Sequence, residues 1–417
     1  MIIGDNMRGV HLKGSKKSLI NLKSYLKPNI IYIPLENNKD YIVYVKKNDY
    51  VYKGTLVAKT KGNFIQNLYS SVSGFVENID VIDGVKYIII KNDYKEKMEK
   101  KVEIKNNITE YTKEEFINIL KEQGIIGMGG AGFPTYVKYE QENLKTLIVN
   151  AVECEPYITS DYSLVNDRIE DILFCIDAIM EINNLEEAYI AIKKNNKHLK
   201  KIIENYLGTY VKIKVVEVPN LYPMGWERNV VKVVKKVTYD KLPSEKGIVV
   251  NNISTIYAIY QALKFHKPLI ERVITITGNM VKNPCNMLVK VGTNVEEIIS
   301  QISLKRNDDV SLYLGGPMMG QPGNLHSVVT ASVNAIMIDS YKEDKEQTCL
   351  RCSKCIQNCP VLIEPVLIKE NIENKEELQK LHSELCIECG ICSYICPAHI
   401  HLRDRVIEAK KIIRRKA

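Results

Sequence analysis

Eight of the eleven cysteines fall into two runs of identical spacing. The first is Cys349, Cys352, Cys355 and Cys359, closed by Pro360; the second is Cys386, Cys389, Cys392 and Cys396, closed by Pro397. Thiolates at i, i+3 and i+6 let one turn of chain wrap three irons. Where a chain holds two [4Fe–4S] cubes this way, the fourth cysteine of each run ligates the other cube. That rule gives one cluster Cys349, Cys352, Cys355 and Cys396, and the other Cys386, Cys389, Cys392 and Cys359. Zinc knuckles or a disulfide framework would leave the third cysteine and the Cys-Pro ending of each run without a purpose. The chemistry indicated is electron transfer.

A second stretch could hold an anion. Gly124-Ile-Ile-Gly127-Met-Gly129-Gly130-Ala131-Gly132-Phe133-Pro134-Thr135 carries five glycines in nine positions. With no Cβ in the way, backbone amides can crowd around a phosphate. The stretch follows a helical pattern and lacks a clear βαβ unit after it, so it is not the dinucleotide fingerprint. Composition alone leaves a phosphate cradle and a tight packing turn equally open.

The elements that must position these residues divide the chain into four expected domains. Residues 1–100 read as β-structure, with apolar runs Ile30–Pro34, Tyr41–Val45 and Val85–Lys91 between turn signals. Asp49-Tyr-Val-Tyr-Lys-Gly54 and Ser71-Val-Ser-Gly74 resemble the halves of a lipoyl-type barrel-sandwich, without a lysine placed for lipoylation. Residues 108–245 alternate helix and strand, the mark of an α/β domain. Thr112-Lys-Glu-Glu115 opens its first helix as a capping box. Residues 246–340 suggest a small β-grasp unit. Residues 341–417 comprise a polar linker and short helices around the cubes.

Further motifs come in a definite order along the chain. Gly129-Gly-Ala-Gly-Phe-Pro-Thr135 with Lys138 comes first, then Asn150-Ala-Val-Glu153-Cys-Glu155-Pro156, Gly225-Trp-Glu227, and Val250-Asn251-Asn252 with Thr255. This series resembles the flavin- and NADH-binding 51-kDa subunit of respiratory complex I. It resembles still more the C subunit of the Rnf electron-transport complex, which adds a barrel-sandwich, a β-grasp (SLBB-like) domain and a two-cluster ferredoxin module. The likeness covers essentially the whole chain. It implies noncovalent FMN lined by Gly129, Gly130, Ala131 and Gly132, with Lys138 supplying positive charge and Asn150, Asn251 and Asn252 bonding the cofactor. Glu153 belongs to the same motif, and Glu155 and Glu227 fall where the complex I subunit contacts nicotinamide nucleotide.

This chain departs from the complex I pattern at Met128, Val152 and Trp226, which stand where that family has an arginine, an acid and a small or acidic residue. Trp226 has two open roles, stacking in the cofactor pocket or core packing. Tyr222-Pro-Met-Gly-Trp-Glu-Arg228 and Lys282-Asn-Pro-Cys-Asn286 look like the soluble paralogue associated with D-proline reductase. The expected activity is electron transfer from NADH through FMN and two [4Fe–4S] clusters to a protein partner, either such a reductase or the Rnf membrane subunits. Rivals are a ferredoxin-like relay with a vestigial nucleotide site and a cobalamin-reducing relative. Cys154 and Cys285 read as structural.

Bulk properties agree with a soluble redox protein of several domains. The 417 residues carry a net charge of +8, but no nucleic-acid motif or aromatic–basic stripe accompanies it. The basic ending Lys410, Lys411, Arg414, Arg415 and Lys416 reads as a solvated helix face rather than a docking site. No apolar stretch approaches the roughly 18 residues of a membrane helix, and the start lacks a secretory h-region. A reducing cytoplasm is expected, with peripheral docking on a membrane left open.

Overall fold

Burial alternates strictly along Ile30–Leu35, with Ile31, Ile33 and Leu35 inward, as a half-covered strand requires. This strand pairs antiparallel with Val85–Asn92, which pairs in turn with Gly74–Ile82 and so to Tyr50–Val51. A second sheet of Tyr41–Val43, Leu56–Thr60 and Asn67–Tyr69 completes the N-terminal barrel-sandwich. Val57, Val72, Val76, Ile88 and Ile90 fill its centre. The computed structural model describes residues 7–14, 16, 22–99, 105–305, 310–340 and 345–414. Arg415, Lys416 and residues 341–344 of the linker lie outside the described residues.

The α/β domain is built on four parallel strands in the order Ile213–Val218, Glu187–Lys193, Thr146–Asn150, Ile248–Asn252. Thr146–Val149 is buried throughout, as expected of a parallel strand covered on both faces. The 23-residue helix Ser160–Ile182 packs on Ile253–Phe265 over this sheet, with Ile172, Ile176, Ile179 and Ile256 in the seam. Thr112 and Glu115 form the capping box of helix Lys113–Glu122: Glu115 N donates to Thr112 Oγ1 at 3.2 Å and Thr112 N to Glu115 Oε2 at 2.7 Å.

Two expected boundaries need correction. Ile248–Asn252, expected to start the β-grasp unit, pairs in parallel with Thr146–Asn150 and completes the α/β sheet. A boundary at 245 would cut that sheet. The N-terminal β-region also sends one strand outside the two barrel-sandwich sheets. Leu22–Tyr25 pairs in parallel with Asn286–Val289 and forms one edge of a six-stranded sheet. The rest of that sheet runs Cys285–Lys290, Glu271–Thr277, Ala335–Ser340, Val310–Leu314 and Gln321–Gly323. Both errors have one cause: the partner of each strand lies far along the chain, where no local pattern can announce it.

The C-terminal module is made of short helices, Lys354–Gln357, Pro365–Glu370, Lys375–Lys380 and Ile391–Tyr394, closed by Leu402–Arg414. Val406 and Ala409 of the last helix pack on Ile363, Ile368 and Leu378. Among the described residues, no helix is long and apolar enough to cross a membrane.

Candidate redox sites

The parallel register sets Asn252 opposite Asn150 and Asn251 opposite Val149, at the carboxyl edge where open α/β sheets bind ligands. The glycine loop folds onto this edge. Met128 N donates to Thr255 Oγ1 at 2.9 Å, and a Cβ on Gly129 would stand 3.3 Å from Asn252 Cβ. Gly130 has φ +124, and a Cβ there would meet nothing within 4 Å. Gly127 N donates to Phe133 O at 2.8 Å and Gly132 N to Gly127 O at 3.2 Å, so the amides of Gly129, Gly130 and Ala131 are the ones suited to cradle a ribityl phosphate. Lys138 reaches the same edge: its ammonium donates to Val250 O at 2.6 Å and stands 3.7 Å from Glu227 Oε2. Burial pulls its pKa down, opposed by Glu227.

Asn150 and Asn252 are half-buried and keep an N–H for a cofactor, whereas Asn251 is 2% exposed and held against the buried Tyr139. Asn150 Nδ2 donates to Gly225 O at 2.9 Å, Asn252 Nδ2 to Asp161 Oδ2 at 2.7 Å, and Asn251 to the Tyr139 hydroxyl. Each contact uses one of the two N–H groups of an amide. Thr135, at the end of the loop, is fully buried and its hydroxyl has no protein partner. The residues present therefore fit a phosphate-bearing flavin.

The acidic residues divide by role. Glu153 is held in a left-handed backbone at φ 41. It accepts from Asp161 N at 2.8 Å, and Lys16 donates to its carbonyl at 2.7 Å. Burial pushes its carboxyl up to about 7, against the pull of Lys16. Glu155 turns the other way. Its two oxygens accept from Met318 N (3.1 Å) and Met319 N (2.8 Å) of the Gly315–Gly320 loop. Burial raises this carboxyl also to about 7. Glu227 opens helix Glu227–Lys235 and accepts from the Tyr239 hydroxyl at 3.1 Å. Met128 and Val152, two of the departures, are buried in apolar packing, whereas Trp226 is half-buried at the start of that helix. Ala131 and Gly132 complete the loop, Gly132 with φ +61.

The cysteines gather into two sets. Cys349, Cys352, Cys355 and Cys396 line one cavity of about 340 Å³. A narrower one is lined by Cys359, Cys386, Cys389 and Cys392. In each set the fourth cysteine comes from the other run. Cys359 lies near enough to Cys386, Cys389 and Cys392 that charge on it is felt at all three, and Cys396 acts likewise on Cys355. Among the described residues, no group of three His, Cys, Asp or Glu side chains closes on a single ion. Four thiols around each cavity are the donor set that a [4Fe–4S] cube requires.

The two sets are not placed alike. Tyr222, 2% exposed in the α/β domain, donates its hydroxyl to Cys389 O at 2.7 Å. A Cβ on Gly390 (φ +77) would fall 2.4 Å from Met318 O, so only glycine lets the cysteine loop press against the loop held by Glu155. Tyr222, Met318, Cys389 and Ile391 share one apolar cluster, flanked by Cys154 and Val10. The Cys349 set instead has its apolar packing within the C-terminal module, and Cys352 is exposed. Lys16, Asp161 and Arg403 carry no mark in the sequence, and Tyr222 stands there only within a motif read for another purpose. Lys410, expected on a solvated helix face, is instead 7% exposed against the second cysteine run, because the last helix packs its Val406 and Ala409 side on the module. Only the seven-residue interval between Arg403 and Lys410, which sets both on one face of a helix, offers a signal.

Comparison with known proteins agrees with this geometry. Residues 5–95 match the RnfC barrel-sandwich hybrid domain, 120–261 the Nuo51 FMN-binding domain, and 341–397 a 4Fe-4S dicluster domain. The C subunit of the proton-translocating ferredoxin:NAD(+) oxidoreductase complex of Clostridium ljungdahlii is 33% identical over 86% of this chain and 82% of its own. The C subunit of the ion-translocating oxidoreductase complex of Buchnera aphidicola is also 33% identical, over 89% and 81%. The Rhodobacter capsulatus subunit is 32% identical over 87% and 74%. A chain of an air-oxidised NAD+-reducing [NiFe]-hydrogenase shares the fold with a TM-score of 0.52 at 14% identity, over 72% of this chain and 63% of that one.

Fold and sites together define an electron-transfer protein with an FMN-binding domain and a 4Fe-4S dicluster domain. The chain belongs to the RnfC family, the C subunits of Rnf-type ion-translocating oxidoreductase complexes.

Proposed function

We propose that this chain takes electrons from NADH at a bound FMN and hands them through two clusters to a protein partner. That partner is either the membrane subunits of an Rnf-type complex or a soluble reductase of the D-proline reductase kind. When bound, FMN exchanges hydride with nicotinamide and single electrons with the clusters, while the protein supplies binding and orientation. The residues divide that work. Gly129, Gly130, Ala131 and Gly132 with Lys138 cradle the phosphate, and Asn150, Asn251 and Asn252 fix the flavin. Glu227 borders the nicotinamide side together with Glu155, whose oxygens also hold the Met318 loop, and Glu153 stands beside them in the same motif. Cys386, Cys389, Cys392 and Cys359 hold one cluster; Cys349, Cys352, Cys355 and Cys396 hold the other.

The observation that carries the reading is the seam from Tyr222 to Cys389 O. It joins the flavin domain to the Cys386 run, which makes that cluster the first recipient. The Cys349 set, with Cys352 exposed and Leu350 65% exposed beside Arg351 and Lys354, is then the exit edge where the partner docks. The ferredoxin:NAD(+) name of the clostridial relative supports the nicotinamide end. In this reading the chain works in the reducing cytoplasm, peripheral to a membrane when an Rnf assembly is the partner.

One observation favours a second reading, a relay without a nucleotide site: both Glu155 oxygens are taken by Met318 and Met319 amides. Anaerobically purified protein titrated with NADH separates the two. Bound flavin and NADH-dependent bleaching of the cluster absorbance are expected. Clusters without flavin, or no bleaching, would support the relay instead. Cobalamin added as acceptor in the same assay tests the cobalamin-reducing alternative.

A further inference from the structure

Buried cations are scarce here: Arg272, Lys290 and Lys410 are the three lysines or arginines buried among the described residues. Arg272 and Lys290 sit in the six-stranded sheet. Lys410, 7% exposed on helix Leu402–Arg414, stands against the second cysteine run. Its ammonium donates to Cys386 O at 2.8 Å and to Glu388 Oε1 at 2.6 Å. Arg403, two turns earlier on the same face, donates from Nε to Glu388 O at 3.0 Å and from Nη2 to Met319 O at 2.9 Å. Among the described residues the Cys349 run has no buried cation as counterpart: its loop receives Arg8 at Ile356 O, and the Arg351 and Lys354 that line its cavity are exposed. The two cysteine sets share spacing but not electrostatics.

A lysine is seldom buried without a compensating charge. Glu388 compensates only in part, because its side chain is 35% exposed and screened by water. The remaining field of the ammonium falls on the site beside it. Four thiolates make the assembled centre net negative, and more so when reduced. A buried cation therefore favours the reduced form, and a neighbouring carboxylate opposes it.

We propose that Lys410 and Glu388 form an opposed charge pair that sets the reduction potential of the cluster held by Cys386, Cys389, Cys392 and Cys359. Lys410 raises that potential and Glu388 trims it. One electron enters the centre in this step; no bond forms or breaks and no proton moves. Lys410 touches the backbone of the loop, so it is a positioning and charge-setting residue rather than a catalytic one. The inference rests on the ligand sets given above, and the iron content of the unaltered protein tests those first. Absence of iron would overturn both.

The experiment is a redox titration of anaerobically purified full-length protein followed by electron paramagnetic resonance, with the second cluster as internal reference. Lys410→Met should lower the reduced-to-oxidised ratio of one cluster about tenfold at fixed potential, a shift of about 59 mV. Glu388→Gln should move the same cluster in the opposite direction, and Lys410→Arg should stay near the parent. A purely structural role would give no opposite signs. Shifts of the same sign, equal shifts of both clusters, or no shift would overturn the proposal. If Lys410→Met fails to hold its cluster, Glu388→Gln decides alone, through the sign of its shift.

Discussion

Replacing Glu153 by glutamine should change how stability depends on pH. The carboxyl is 9% exposed, and burial raises it to about 7 from 4.5. A folded-state value above the unfolded one means the folded protein keeps a proton the unfolded chain has released. The stabilisation is complete below about pH 4.5 and is lost as pH rises through about 7. Integrating between pH 6 and pH 8 gives a loss of about 1.3 kcal/mol from this one group. For a folding unit the size of the α/β domain, that corresponds to a fall in Tm of roughly 3–5 °C. Glutamine keeps the shape and has nothing to titrate. The assay follows the first thermal transition of anaerobic protein and variant from pH 6 to pH 8, and takes the difference so that Glu155 and other groups cancel. The difference should fall with rising pH. A flat or rising difference would refute the reasoning, and would mean that Lys16, 3.6 Å from Glu153 Oε2, outweighs burial and keeps the carboxylate ionised.

Cys359→Ala should remove the cluster assigned to the other run and about half the iron; loss of the Cys349 centre instead, read by iron assay and magnetic resonance, would disprove the crossed ligation. Gly130→Val should abolish flavin binding with both clusters retained, because valine resists φ +124, and stoichiometric flavin released on denaturation would contradict the placement of the cradle. Glu155→Ala should leave the Met318 and Met319 amides without acceptors, at a cost of about 1–3 kcal/mol. Faster hydrogen exchange across Gly315–Gly320 is the measure, and unchanged protection would show the contact to be idle.

The crossed cysteine sets and the openness of the glycine loop were legible because their information is local. Spacing of three and four residues fixes how Cys386, Cys389 and Cys392 present their thiols, and missing Cβ atoms open Gly129 and Gly130. Asn150 and Asn252 were found by motif, but their adjacency depends on parallel pairing of strands 102 residues apart, with Asn252 set opposite Asn150. Strand Leu22–Tyr25 was missed for the same reason. So was the commitment of Glu155 to the Met318 loop, which joins positions 163 and 164 residues apart. Lys410 and Tyr222 act on backbone carbonyls, and any residue supplies one of those. Sequence alone carries no mark of such contacts.

The pairing of Leu22–Tyr25 with Asn286–Val289 sets a timetable for synthesis. Tyr25 bonds Glu297, 272 positions later, so at ordinary translation speeds the early strand waits roughly 15–50 s for its neighbours to leave the ribosome. The barrel-sandwich between them can close meanwhile on its own core. The early strand and the later strands of the six-stranded sheet must therefore meet around a body already folded. Iron delivery comes later still, since both cysteine runs emerge after that closure has become available.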